Sequence, residues 1–298
     1  MTAVTWSGAQ RRAFSLGLLP ALLVLAAVTL GPACYLVITS LTPLTPVTPG
    51  SGLDFSTPLA NYSQALLGGS FVHSVWLQLQ LSAMTVGLQT LIGLGLALLL
   101  NIESRFIEAV RTGFLVPMVL PPIVVAIIWK VLYTPEISPL YVALNVFGIS
   151  AGSLVTDPTT ALPALAVADT WEWFPFTLLM ILAALQMMPK EPLEAARIDG
   201  ASAWQMFWYI RLPFIRPALT VAVLFRLIDS IKAFPLIYVI TNGGPGQATE
   251  VTNFYAFIQT FNFAYWGYGS AIATMMVLGV FVLSLIVARL GGAQAVTE

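Results

Sequence analysis

Two clusters of ionisable and aromatic side chains stand out in a chain that is otherwise poor in charge. One is Asp169, Trp171, Glu172 and Trp173; the other is Arg226, Asp229 and Lys232. Both lie inside long apolar runs. A charged side chain at the centre of a membrane helix costs about 2.5–3.5 kcal/mol on insertion scales, so each needs a physical reason to be there. At 100° per residue, Arg226, Asp229 and Lys232 fall within an arc of about 120° and share one helix face. At ~1.5 Å per residue, Asp229 lies about 18 Å from Pro217, and Glu172 about 16 Å from the outer end of its run. The two clusters therefore sit at compatible depths. Carboxylates and cations suit hydroxyl groups, and indole rings suit C–H faces, so the set matches a pathway for a polyhydroxy solute. The same charges also suit a lock in which Arg226 and Asp229 pair with each other or with Glu172. Trp171 and Trp173 flank Glu172 on opposite sides, so both rings cannot face one cavity.

The elements that carry these groups follow from composition. Of 298 residues, 58% are hydrophobic and 8% charged, against roughly 45–50% and about 25% in soluble globular chains. So few charges cannot cover a soluble surface of this size. A soluble enzyme, a nucleic-acid binder and a disordered chain are excluded. One cysteine, Cys34, and one histidine, His73, leave no internal disulfide, no metal centre and little from which to build a catalytic site. Charge-free stretches predict an all-α integral membrane protein. It forms a single transmembrane domain over residues 1–298, with six spans near 14–40, 71–100, 107–133, 161–188, 217–240 and 268–288. The first run follows Arg11-Arg12 as a signal peptide would. It is too long, and lacks a small-x-small cleavage site, so a retained helix with a buried Cys34 is expected.

Orientation follows from the basic residues. Arg11, Arg12, Arg105, Arg111, Lys190, Arg197, Arg211, Arg216 and Arg289 lie at one set of span ends, and loops 41–70, 134–160 and 241–267 hold no Lys or Arg. The positive-inside rule places both termini in the cytoplasm.

The loop over 189–216 reads as structured. Glu191 can sit at an N-cap with Pro192 at the first helical position, the helical register runs on through Asp199, and Gly200 can close it in a left-handed conformation. Ser202 can then cap a second short helix, Ala203–Ile210. Ala195 and Ala196 permit close approach by another backbone, and Glu194, Arg197 and Asp199 supply charge at the rim. A docking elbow and a hairpin lying on the membrane surface both fit this pattern.

Glu194-Ala195-Ala196, three residues, Gly200, nine residues, then Ile210-x-Leu212-Pro213 resembles the EAA loop of ABC importer transmembrane subunits. Trp171 to Gln186, Phe225-Arg226-Leu227-Ile228-Asp229, Ile237 to Pro245, Thr249-Glu250 and Asn61-Tyr62 resemble the sugar-permease branch of binding-protein-dependent importers. The likeness covers roughly 14–290 and implies the type I ABC importer permease fold. It also implies a bacterial inner-membrane location, and a cargo that is a sugar such as trehalose or maltose, or a related polyhydroxy solute. By the same likeness Glu194, Ala195, Ala196, Arg197, Asp199 and Gly200 belong to a coupling helix that docks on an ATPase. Asp169, Trp171, Glu172, Trp173, Arg226, Asp229 and Lys232 would line or gate the pathway. The implied partners are a second homologous permease subunit, two cytoplasmic ATPase subunits and an extracytoplasmic solute-binding protein. No Gly-Lys-Ser/Thr phosphate loop is present, so ATP and Mg belong to the partners and this chain is not itself an enzyme. Pro192 and Pro235 depart from the family pattern. The competing reading is an ion-coupled secondary transporter with Asp229 and Glu172 as proton relays.

Overall fold

The computed structural model describes residues 8–102, 104–148 and 152–292. Both chain ends, and the side chains of Arg11 and Arg12, lie outside the described residues. Those residues form thirteen α-helices and no strand. Two compact units emerge, Met1–Leu67 with Ile258–Met275, and Gly68–Phe257 with Met276–Glu298.

The first unit holds α1 (Gly8–Ser40) and α2 (Ala60–Leu67). The stretch Leu16–Ser40 is strongly apolar, and its most apolar window has no buried residue. Cys34 is exposed, against the expected buried thiol, because the chain itself leaves this stretch of α1 uncovered. The end of α1 is tied down instead. Asn61 donates Nδ2 to the carbonyls of Ser40 (2.9 Å) and Thr42 (2.8 Å), and Tyr62 meets Ser40 Oγ at 2.6 Å. Gly267 N donates to Leu44 O at 2.8 Å, and a Cβ at Gly267 would run into Thr42 O and Leu44 N.

The second unit is built on α3 (Ser70–Leu100), α8 (Ala161–Gln186) and α11 (Leu212–Ile231). Gly93 marks a close approach of α3 and α8: a Cβ there would meet Thr177 Cβ at 2.8 Å and Leu178 N at 2.9 Å. Around this crossing Ala97, Leu100, Phe174, Leu178, Ile181 and Leu185 form the apolar core with Ile215.

Between α3 and α8 the structure departs from the single helix expected over 107–133. Three pieces stand there: α4 (Arg105–Phe114), α5 (Val116–Val119) and α6 (Pro122–Leu132). Pro121 and Pro122 explain the second break. Proline disfavours the α region in the residue before it, and Leu120 and Pro121 have ψ of 142° and 135°. The short α7 (Pro139–Val146) follows, capped by Ser138 Oγ, which accepts from Leu140 N at 3.1 Å.

The loop after α8 holds α9 (Glu191–Ile198) and α10 (Ala203–Met206). A π-helical turn, Phe207–Arg211, then leads directly into α11. The expected span 217–240 starts earlier, at Leu212, and stops at Lys232, ahead of Pro235. A second wide turn, Ile237–Thr241, completes it, and α12 (Thr252–Phe257) and α13 (Trp266–Gly292) follow. Four stretches among the described residues are long and apolar enough to cross a membrane: Leu16–Ser40, Ser70–Leu100, Ala161–Gln186 and Trp266–Val287. The third and fifth expected spans fall short of that measure through their proline breaks and charges.

Candidate functional site

Arg226, on the buried face of α11, is the hub of the first site. Its side chain is 2% exposed. Nε donates to Gln89 Oε1 at 2.8 Å, Nη2 lies 3.6 Å from Asp169 Oδ2, and Nη1 lies 3.4 Å from Asp229 Oδ2. The guanidinium also stands over the Trp173 ring, 4.6 Å from its centroid. Gln89 closes the circuit by donating Nε2 to Asp169 Oδ2 at 2.8 Å. Lys232 Nζ lies 3.2 Å from Asp229 Oδ1, so the expected shared face of Arg226, Asp229 and Lys232 exists as a chain of i,i+3 pairs.

A cavity of about 270 Å³ opens beside this network, lined by Asp169, Glu172, Trp173, Arg226, Asp229 and Lys232, with Phe234 and Pro235 at the break after α11. The partly exposed Asp229 and Lys232 put charge on a wall that is otherwise mostly apolar. Glu172 is 2% exposed, and its Oε1 has no hydrogen-bond partner among the described residues. A buried oxygen without a partner costs free energy unless something donates to it. The cavity therefore has the Glu172 carboxyl in its wall, charge at Asp229 and Lys232, and an indole at Trp173. Trp171 points elsewhere. Its ring packs edge-on against Trp129 (5.9 Å between centroids), which in turn touches Tyr133 (5.2 Å), and it does not line this cavity.

Gln89 was not singled out from the sequence, yet a signal for it is there. Gln78, Ser82, Thr85 and Gln89 recur at helical spacing along the largely apolar α3, and all four are buried. Gln78 donates to Ser230 O (3.0 Å), and Ser82 Oγ meets Ser230 Oγ (2.8 Å), so the stripe fastens α3 to α11 as Gln89 fastens it to α8.

The second site is the elbow between α8 and α11. Helix α9 opens at Lys190, one residue before the expected cap, with Pro192 in its first turn. Its end is a Schellman motif: Ala201 N donates to Ala196 O (2.9 Å) and Gly200 N to Arg197 O (3.1 Å). Gly200 has φ +76°, which a side chain would strain. Ser202 then caps α10 in a capping box: Gln205 N donates to Ser202 Oγ (3.3 Å), and Ser202 N to Gln205 Oε1 (2.8 Å). The expected second helix over 203–210 is α10 plus the π-helical turn. Glu194, Ala195, Arg197, Asp199 and Gly200 are exposed, and Ala196 is half-buried. Ile198 (87% exposed) and Trp204 (69%) add apolar surface at the same end.

Residues 89–294 match the family described as binding-protein-dependent transport system inner membrane component. Over 233 residues the chain is 35% identical to the trehalose/maltose transport system permease protein MalF of Thermococcus litoralis, which covers 78% of this chain and 79% of that one. It is 31% identical over 288 residues to the trehalose transport system permease protein SugA of Mycobacterium tuberculosis, covering 96% and 91%. Among solved structures, a chain from a bacterial ABC transporter involved in the import of the acidic polysaccharide alginate superposes with a TM-score of 0.81. At 20% identity, with 96% of each chain covered, it shares the fold.

Proposed function

Starting from a chain that belongs to the family of binding-protein-dependent transport system inner membrane components, we propose that it forms part of the pathway of an ATP-driven sugar importer. The cargo is a disaccharide such as trehalose or maltose, or a closely related polyhydroxy solute. The observation that carries this reading is the cavity beside Arg226, where Glu172 Oε1 lacks a donor and Trp173, Asp229 and Lys232 share the wall. Sugar hydroxyls would donate to Glu172 and Asp229 and accept from Lys232. A pyranose C–H face would pack against the Trp173 indole in the cavity wall. The names of the two relatives support a carbohydrate cargo.

The elbow links the two helices that carry the cavity residues. Helix α8 ends at Gln186 and leads into α9, while α10, the π-helical turn and α11 run without interruption from Ala203 to Ile231. At ~1.5 Å per residue, about 35 Å of continuous helix separates the start of α10 from Arg226. A pull on the elbow therefore reaches both walls. In this reading two cytoplasmic ATPase subunits, which carry the ATP and Mg, grip Glu194 through Gly200 and close on nucleotide binding. The movement is passed to α8 and α11, opening the cavity outward towards a docked binding protein, and hydrolysis returns it inward. A second homologous permease subunit supplies the facing half. The six crossings, with both termini cytoplasmic in the inner membrane, rest on the distribution of Lys and Arg. The broken helices α4–α6 and α11 to Thr241 form the third and fifth crossings. Such breaks are tolerated where backbone lines a polar cavity.

The test is purification by a tag on this chain, followed by reconstitution of the recovered complex with its binding protein. Sugar uptake is expected to require ATP. Uptake by this chain alone, driven by an ion gradient, would overturn the reading.

A further inference from the structure

A second cavity, of about 550 Å³, lies against the inner side of the elbow. Arg111, Lys190, Arg197 and Arg211 converge on it, with Glu194 as the one carboxylate among the described residues of its wall. The whole chain has twelve lysines and arginines, so a third of them line one cavity. Arg111 is fixed there, because its guanidinium donates to the carbonyls of Leu100 and Ile102 at the end of α3. Arg197 and Arg211 make no ion pair or side-chain hydrogen bond among the described residues, although Glu194 shares their cavity.

Cations gathered in this way repel one another unless an anion sits among them. Guanidinium forks match tetrahedral oxyanions, above all phosphate, with two parallel hydrogen bonds. Basic pockets at the ends of membrane helices suit phosphate-bearing groups. The volume falls within the range of roughly 300–1,000 Å³ of small-ligand sites, more than a bare ion needs. We propose that this cavity binds a phosphate-bearing anion, held by Arg197 and Arg211 with Arg111 behind them. Occupancy braces the elbow against the ends of α3 and α8. The source of the phosphate is a lipid headgroup or a free phosphate, and the site does not depend on which solute the chain carries.

The experiment uses the purified full chain, with dioctanoyl phosphatidylglycerol, dioctanoyl phosphatidylcholine and inorganic phosphate as separate probes. Binding is read by native mass spectrometry and by the shift of the unfolding midpoint. Phosphatidylglycerol is expected to bind in preference to phosphatidylcholine, less tightly at high salt, and about tenfold more weakly to Arg211→Gln and to Arg197→Gln. Binding of phosphatidylglycerol but not inorganic phosphate identifies a headgroup site, and binding of both with the same losses identifies a general phosphate site. Glu194→Gln, which removes the carboxylate, is expected to tighten binding several-fold, and it serves as the deciding variant where an arginine substitution fails to fold. Equal binding of every probe to wild type and variants overturns the proposal. Because the readout is binding and not uptake, failure of the transport reading leaves this result intact.

Discussion

Arg226 and Glu172 face the same cavity but stand in different energetic positions. Arg226 is held by Asp169, Asp229 and Gln89 and stacks on Trp173. Removing one member of such a buried set strands the others, at about 3–5 kcal/mol. Arg226→Ala is therefore expected to lower the unfolding midpoint strongly. Glu172 has an oxygen with no partner. Glu172→Gln is expected to change stability by less than about 1 kcal/mol while cutting saturable sugar uptake tenfold or more. Equal thermal losses in the two variants would make Glu172 part of the lock and not of the pathway. Outside the spans, burial pushes the Glu250 carboxyl above its ordinary value of 4.5, with His73 pulling the other way. A carboxyl raised in the folded state binds more protons folded than unfolded, so its contribution is favourable below the ordinary value and fades as pH climbs past the raised one. Glu250→Gln is thus expected to raise the melting midpoint near neutral pH and to leave it unchanged at pH about 4, measured by thermal unfolding across pH.

At the level of elements, the elbow was the most legible part of the chain. Gly200 and Ser202 are local signals, since a left-handed stop and a capping hydroxyl depend only on near neighbours. The structure accordingly has the Schellman end and the capping box where the sequence placed a turn and a cap. Gly200→Ala is expected to cost about 1 kcal/mol through its φ of +76° and to weaken ATPase stimulation by redirecting α10. Glu194→Lys is expected to leave membrane insertion intact and to abolish solute-stimulated ATP hydrolysis. Normal stimulated hydrolysis in that variant would remove Glu194 from the coupling contact. The third expected span was less legible. Hydropathy over 107–133 is continuous, and only Pro117, Pro121 and Pro122 signal that the helix is in pieces. A proline can kink a helix or end it, and which occurs depends on what packs around the freed carbonyls.

For the whole molecule, the proposed import reading has force and cargo meet through one connection. Helices α8 and α11 supply Asp169, Glu172, Trp173, Arg226 and Asp229 to the cavity, and both are joined to the elbow. On that reading the chain supplies a pathway and a handle, and its sequence has no Gly-Lys-Ser/Thr phosphate loop to drive them. Purified alone, it is expected to show no ATP hydrolysis above background and no uphill uptake, with both restored by co-expressed ATPase and partner permease. Hydrolysis by the isolated chain, in a preparation free of ATPase by mass spectrometry, would count against this division of labour.

The sequence by itself determined that the chain is a helical membrane protein, that Arg226, Asp229 and Lys232 share one helix face at a depth compatible with Glu172, and that a capped elbow follows Pro189. Each of these depends on composition, on a helical period or on a few adjacent residues. Tertiary structure alone decided that Gln89 joins Asp169 to Arg226, that Trp171 turns away to Trp129, and that four scattered cations share a cavity under the elbow. Those facts depend on how far α3 can close on α8 at Gly93 and on how α11 rotates against both. Packing of side chains distant in sequence sets these distances, and no local pattern encodes them.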